Sequence, residues 1–235
     1  MLATAIFFFA LSTTQWLFAL ANTEIVNFAA SLDEDISIPE AASWPVLHDN
    51  ARETRADVLP APLGSSPFEV CETALGNTSL NVHCEHEIWL ILDLDDARWS
   101  DFSKYTLRIS WPASSPADFL IDLYTPSTLA SRLYPTAHRS PSSTQTRRQY
   151  ARIRLIDTGV RPPSTQPHPV PPVPFIVRLE PLLLGVLPAS VAPILAFLVS
   201  VIGAAVMLLP HIQQRIEKAA RPAREEIRSS NHGKD

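Results

Sequence analysis

The chain is poor in charge, glycine and cysteine. Only 18% of its 235 residues are charged, below the ~25% usual for a soluble domain. Its six glycines are scattered, and none belongs to a G-x-S-x-G elbow or a glycine-rich phosphate loop. Two cysteines exclude an all-thiolate zinc site, which needs a full set of sulfur ligands. A formal net charge of −5 argues against a general nucleic-acid binder. What abounds is proline, at 22 residues. Interior proline breaks helices, so a long continuous helical bundle is excluded as well.

The two ends set the compartment. Residues 1–21 read as a signal peptide: an apolar run from Ala5 to Leu11, a polar break, then Trp16-Leu17-Phe18-Ala19-Leu20-Ala21. Ala19-Leu20-Ala21 has the small-x-small form of a cleavage site, which makes Asn22 the first mature residue. The leader lacks the usual basic residue, so the competing reading is an uncleaved N-terminal anchor. Near the other end, no Asp, Glu, Lys or Arg occurs from Pro181 to Gln214, a stretch of 34 residues. A bilayer-spanning helix needs ~20. The expected transmembrane segment is 187–209, its regular helix running from about Val191 to Leu209, with Pro193 in its first turn, where the missing N–H costs nothing, and Pro210 at its far boundary. The tail at 210–235 holds six basic and four acidic residues, and a Lys/Arg excess stays cytosolic. The topology that follows is type I, with an acidic lumenal ectodomain.

Cys71 and Cys84 both lie in that ectodomain. Their pairing would close a loop of about 14 residues, worth ~3 kcal/mol in the chain-entropy picture. Asn77-Thr78-Ser79, the only N-x-S/T sequon, falls inside this loop. A disulfide and a glycan at Asn77 are therefore expected together, in an oxidising secretory compartment.

Along the ectodomain, 22–67 reads as an irregular segment with one early strand around 36–38. A β-rich domain follows over 68–180. Short extended pieces are expected at 69–71 and 80–84. A central strand is expected at 88–94, where the apolar run is near-continuous. Tyr105, Leu107, Ile109 and Trp111 alternate with Thr106, Arg108 and Ser110. Phe119, Ile121 and Leu123 share one face of the next strand. Ala151, Ile153 and Leu155 alternate with Arg152 and Arg154, and Phe175, Val177 and Leu179 with Ile176 and Arg178. Trp89, Ile91, Leu107, Ile109, Trp111, Phe119, Ile121, Leu123, Ile153, Leu155 and Val177 are the expected core. Residues 135–149 read as a loop. The insert 161–174 has seven prolines and favours polyproline II. The fold class is mainly β: a small antiparallel β-sandwich ectodomain followed by a single C-terminal transmembrane helix.

Chemistry-bearing groups are few. His83-Cys84-Glu85-His86-Glu87 is the densest set of ligand types, but offset 3 on a strand places His83 and His86 on opposite faces, and no HExxH is formed. Asp93, Asp95, Asp96 and Asp101 cluster without the spacing or glycine of a calcium loop; they read as a turn that caps the next segment. The serines near Trp111 have no histidine beside them. No catalytic residue, metal site or cofactor is expected, and a hydrolase built on Asp93–Asp101 is the weaker enzymatic alternative.

The expected span carries the most specific interaction signal. Ala196, Ser200 and Ala204 recur every four residues with Gly203 beside them, and such small-residue spacing admits a second helix at close range. The preceding segment, 180–188, is apolar but holds two prolines and a glycine. It reads as re-entrant or interfacial, and non-helical backbone at membrane depth needs protein cover. The expectation is a non-enzymatic accessory or stabilising subunit of a multi-spanning endoplasmic reticulum membrane enzyme; a cargo or ligand receptor is the alternative. In layout, from about Phe68 to the tail, the chain is similar to the accessory subunit of the first mannosyltransferase of glycosylphosphatidylinositol-anchor synthesis. That resemblance is one of architecture and transfers no site.

Overall fold

The structure is a computed structural model, and it describes residues 21–72, 84–135, 144–160 and 170–232. The leader (1–20), the sequon at Asn77 and most of the proline-rich insert lie outside the described residues. The described chain divides into two units, one ending at Val186 and one beginning at Leu187.

The first unit is mainly β, with antiparallel sheets. One sheet has the order β1 (Ala21–Ala29), β6 (Lys104–Pro112), β10 (Val173–Leu183), with β4 (Glu53–Val58) on the far side of β10. The other has the order β3 (Val46–Leu47), β5 (Glu87–Leu92), β9 (Gln149–Asp157), β7 (Ala117–Tyr124). A two-stranded pair, β2 (Asp33–Glu34) with β8 (Gln145–Thr146), completes it. All pairings are antiparallel except β3 with β5.

The sheets meet through one apolar core. Tyr105, Leu107 and Ile109 from β6 and Val177 and Leu179 from β10 pack against Leu90 and Leu92 from β5, Ile153 and Leu155 from β9, and Phe119 from β7. The alternation in β6 is followed faithfully: Tyr105, Leu107 and Ile109 are fully buried, and Trp111 nearly so. In β5 the parity differs from the expectation. Leu90 and Leu92 enter the core, while Trp89 and Ile91 pack on the opposite face of the sheet. A continuous apolar run carries no alternation, so its sequence cannot say which residues point inward.

Five further expectations are corrected. The segment 22–67 is not irregular: β1 and β4 are edge strands, in register with Lys104–Pro112 and with Val173–Arg178. Cleavage before Asn22 would remove only the first residue of β1. Instead of a strand at 36–38, Ile38 precedes a 3-10 turn, Pro39–Ser43. Residues 69–71 form turns rather than a strand; 80–83 lie outside the described residues. The expected loop at 135–149 ends in β8 and the start of β9. Finally, 180–183 is not re-entrant: Glu180 and Pro181 are paired with Thr106 and Tyr105 as the end of β10.

An unforeseen short helix, α1 (Pro126–Leu133), covers the outer face of the second sheet with the buried Leu129. Thr125 caps it, its side chain accepting from the Thr128 amide, and Pro126 occupies the first turn. Asp33 accepts from the Ser127 amide at 2.9 Å and from its hydroxyl at 2.6 Å. Partial burial pushes the Asp33 carboxyl up, but these hydrogen bonds outweigh it and hold it below the usual range.

The second unit is helical. After a 3-10 turn, Ala189–Val191, one helix runs from Ala192 to His232 (α2). It begins one residue after the expected Val191 and continues through Pro210, the expected far boundary. Ala189–Lys218 is long and apolar enough to cross a membrane, and none of its most apolar window is buried among the described residues. Membrane helices tolerate proline because the freed backbone groups find other partners; His211 Nδ1 lies 3.3 Å from the Met207 carbonyl oxygen, in the turn that Pro210 interrupts.

Candidate functional site

Cys71 and Cys84 are joined, with Cα atoms 5.6 Å apart, and no free cysteine accompanies them among the described residues. The bond anchors a segment laid on the outer face of the second sheet. Cys71 takes φ 64°, a left-handed conformation unusual outside glycine. This places its carbonyl oxygen 3.1 Å from Arg152 Nη2, and the next residue, Glu72, reaches Arg152 Nη1 at 2.5 Å and Arg154 Nη1 at 3.5 Å.

Arg152 and Arg154 stand on the same face of β9, the central strand of that sheet, and both are buried. Arg152 Nε donates to Glu87 Oε2 at 2.6 Å, and its guanidinium lies 5.5 Å from the Trp89 ring. Arg154 Nη2 donates to Asp122 at 2.5 Å, and Nη1 lies 3.3 Å from the Val70 carbonyl. The register explains the pairing. Arg154 is opposite Glu87 on β5 while Arg152 is opposite Asp122 on β7, so each arginine reaches the carboxylate diagonal to it, within range for long side chains. Glu87 also accepts from Trp89 Nε1 at 2.8 Å. Burial pushes the Glu87 carboxyl up, against the pull of Arg152. Burial also works against the charge of Arg152, but Glu87 and Glu72 outweigh it and hold its pKa above the ordinary value.

Beside this cluster lies an aromatic group. Trp44 stacks on Trp89 at 4.9 Å, Tyr150 meets Trp44 edge-on, and Tyr124 lies 5.7 Å from Trp89. A cleft of about 390 Å³ opens along Trp44, Trp89, Glu40 and Glu87. Glu40 accepts from the Tyr134 hydroxyl, and burial together with that carboxylate pushes Tyr134 up to about 12. A larger cleft, about 540 Å³, is lined by Trp111, Pro112, Pro174, Phe175 and Ile176, with Arg55 and Asp57 at its border. Trp111 Nε1 is buried without a hydrogen-bond partner among the described residues.

Three residues of the acidic cluster accept hydrogen bonds within the fold. Asp95 accepts from the Arg147 amide at 3.0 Å and from the Thr146 hydroxyl, and Asp96 from the Arg98 amide at 3.0 Å. Asp93 accepts from the Asp95 amide at 3.3 Å. His86 Nδ1 lies 3.0 Å from the Leu59 carbonyl oxygen, and Glu87 belongs to the arginine cluster. His83 lies outside the described residues. Among the described residues no three His, Cys, Asp or Glu side chains converge as a metal site. The arginine cluster escaped the sequence reading because alternation marks Arg152 and Arg154 only as a polar face; that α1, Pro39–Ser43 and the Cys71 segment cover this face is a tertiary fact.

On α2, Ser200 Oγ donates to the Ala196 carbonyl at 2.8 Å, so its hydroxyl is satisfied within the helix. A Cβ added at Gly203 would meet nothing within 4 Å. Ile194, Phe197, Val199, Ile202, Val206 and Met207 are all exposed. The helix is thus an apolar rod suited to lipid, with a notch of small residues along it. No family model, curated protein or solved structure matches this chain.

Proposed function

We propose that this chain is a non-enzymatic, single-pass type I membrane protein of the secretory pathway. Its β-domain lies in the endoplasmic reticulum lumen and its basic tail in the cytosol. It serves as an accessory or stabilising subunit of a multi-spanning membrane enzyme; the accessory subunit of the first glycosylphosphatidylinositol-anchor mannosyltransferase is the model suggested by its layout. The observation that carries the reading is the terminal helix. None of its most apolar window is buried among the described residues, and Ala196, Ser200, Gly203 and Ala204 leave room for a second helix. Glu180 and Pro181 are paired within the first sheet, so the support for a partner comes from the small-residue notch.

The test is purification of the tagged full chain from native membranes in mild detergent. A stoichiometric multi-spanning enzyme is expected. Ser200→Leu and Gly203→Leu should fill the notch and lower the enzyme's abundance while the lumenal domain stays folded. Normal enzyme levels in both variants would defeat the reading. The receptor alternative is favoured by one observation: the 540 Å³ apolar cleft at Trp111 has the volume of a ligand pocket. It requires a bound lumenal molecule whose capture is lost in Trp111→Ala.

A further inference from the structure

Where β10 ends, the chain reverses in a tight turn. The Val186 amide donates to the Leu183 carbonyl at 3.1 Å, and the two residues between them, Leu184 and Gly185, have φ 53° and 73°. Positive φ at both central positions defines a type I′ turn, where Asn-Gly is the favoured pair. Glycine fits its place here. Leucine does not: a bulky side chain in the left-handed region is a conformational outlier. Its side chain is also 95% exposed, and that of Val186 is 71% exposed. Two apolar side chains therefore project from the tip of a turn, one of them on a strained backbone, with nothing among the described residues to bury them.

Covalent geometry limits where this tip can be. Ala189, where the apolar span starts, is three residues beyond Val186. Three extended residues reach about 11 Å at most. If the bilayer core begins at Ala189, the tip lies within that distance of it, in or just beyond a headgroup layer ~5–8 Å deep. A cation accompanies the tip: a Cβ added at Gly185 would sit 3.4 Å from Lys104 Cδ and 3.8 Å from Nζ. Lys104 is exposed and forms no ion pair among the described residues. Apolar side chains flanked by a lysine are the composition that seats in a lipid interface, the stem buried and the ammonium at the phosphates.

We propose that the Leu184–Gly185–Val186 turn is a membrane-seating finger: Leu184 and Val186 insert into the lumenal interface of the bilayer, and Lys104 meets lipid phosphate. The finger gives the β-domain a second attachment point besides its helix. The inference rests on the membrane span, and the experiment separates the two.

The probe is an environment-sensitive fluorophore on a single introduced cysteine, which is selective while Cys71 and Cys84 are bonded. Leu184→Cys, Val199→Cys in the helix and Val160→Cys, 94% exposed elsewhere on the domain, are labelled in the full chain. The chains are placed in phosphatidylcholine vesicles containing a minority of phosphatidylserine. Leu184→Cys is expected to show blue-shifted emission, several-fold lower iodide quenching than Val160→Cys, and quenching by shallow spin-labelled lipid. Water-like emission at position 184 with a dry Val199→Cys would overturn the finger and leave the span intact; a wet Val199→Cys would overturn both. Lys104→Glu should weaken spin-label quenching at position 184, and no change would remove the lysine from the proposal. A Val186→Cys label checks the same tip without altering Leu184.

Discussion

Strand β9 and helix α2 invert the usual distribution of side chains in opposite ways. β9 buries two guanidiniums, whereas α2 exposes isoleucine, valine and phenylalanine along its length. Each inversion has a cause. The arginines are inside because Glu72, Glu87, Asp122 and two carbonyl oxygens meet most of their donors, which is the condition for burying charge; Arg154 Nε is buried without a hydrogen-bond partner among the described residues. The exposed apolar residues of α2 suit a helix long and apolar enough to cross a membrane, where lipid would meet them. Polarity alone does not decide location; the partners available on each side do.

The largest test removes one partner from β9. Arg152→Met leaves Glu87 and Glu72 without their main counter-charge, and loss of one member of a buried pair costs about 3–5 kcal/mol. Denaturant unfolding of the detergent-purified full chain, followed by tryptophan fluorescence, should show a loss of that size. Replacing both partners, Glu87→Leu with Arg152→Met, should recover most of it. A double variant as unstable as the single one would mean that the wider cluster, rather than the pair, sets the cost.

A charge placed on α2 sharpens the other half. Ile202→Arg at mid-span should cost about 2.5–3.5 kcal/mol of insertion. The readout is the fraction of chain that resists alkaline carbonate extraction, and an unchanged fraction would argue against the lipid reading. Opening the disulfide is next. Cys71→Ser with Cys84→Ser should cost about 3 kcal/mol through loop entropy. It should also loosen Glu72, so adding Glu72→Gln should cost less in the opened protein than in the closed one.

The smallest effect is the pH response of Glu87. Burial raises its pKa above the ordinary 4.5. The folded state therefore holds this proton more tightly than the unfolded chain. The stability from this group is complete below the ordinary carboxylate range and is lost as pH rises through the folded value. Against Glu87→Gln, which does not titrate, the wild-type melting temperature should fall as pH is raised through that window. Parallel curves would mean that Glu87 is not linked to folding.

Much of the fold was legible because alternation is a local signal. Tyr105, Leu107, Ile109 and Trp111 marked the inner face of β6, and Phe175, Val177 and Leu179 that of β10. The edge strand Ala21–Ala29 was not legible. Its polar residues give weak alternation, and it is a strand because β6 accepts it along nine paired positions. Helix α1 had its cap and proline in view, but its eight residues are too few to stand out by periodicity. Of the interaction residues, Ala196, Ser200, Gly203 and Ala204 could be read directly, since helical spacing places them together. The turn at Leu184 could not, because its strain exists only where β10 ends.

The sequence by itself determined the apolar span, the strand-rich middle and the reach of Cys71 to Cys84, since each depends on composition or on residues near one another in the chain. Only the tertiary structure decided that both faces of β9 are buried, that Trp89 turns away from the main core, and that Glu72 lies over two arginines. Those facts depend on which distant segments come to cover a surface, and the hydrophobic pattern of a strand records its own faces but not what is laid upon them.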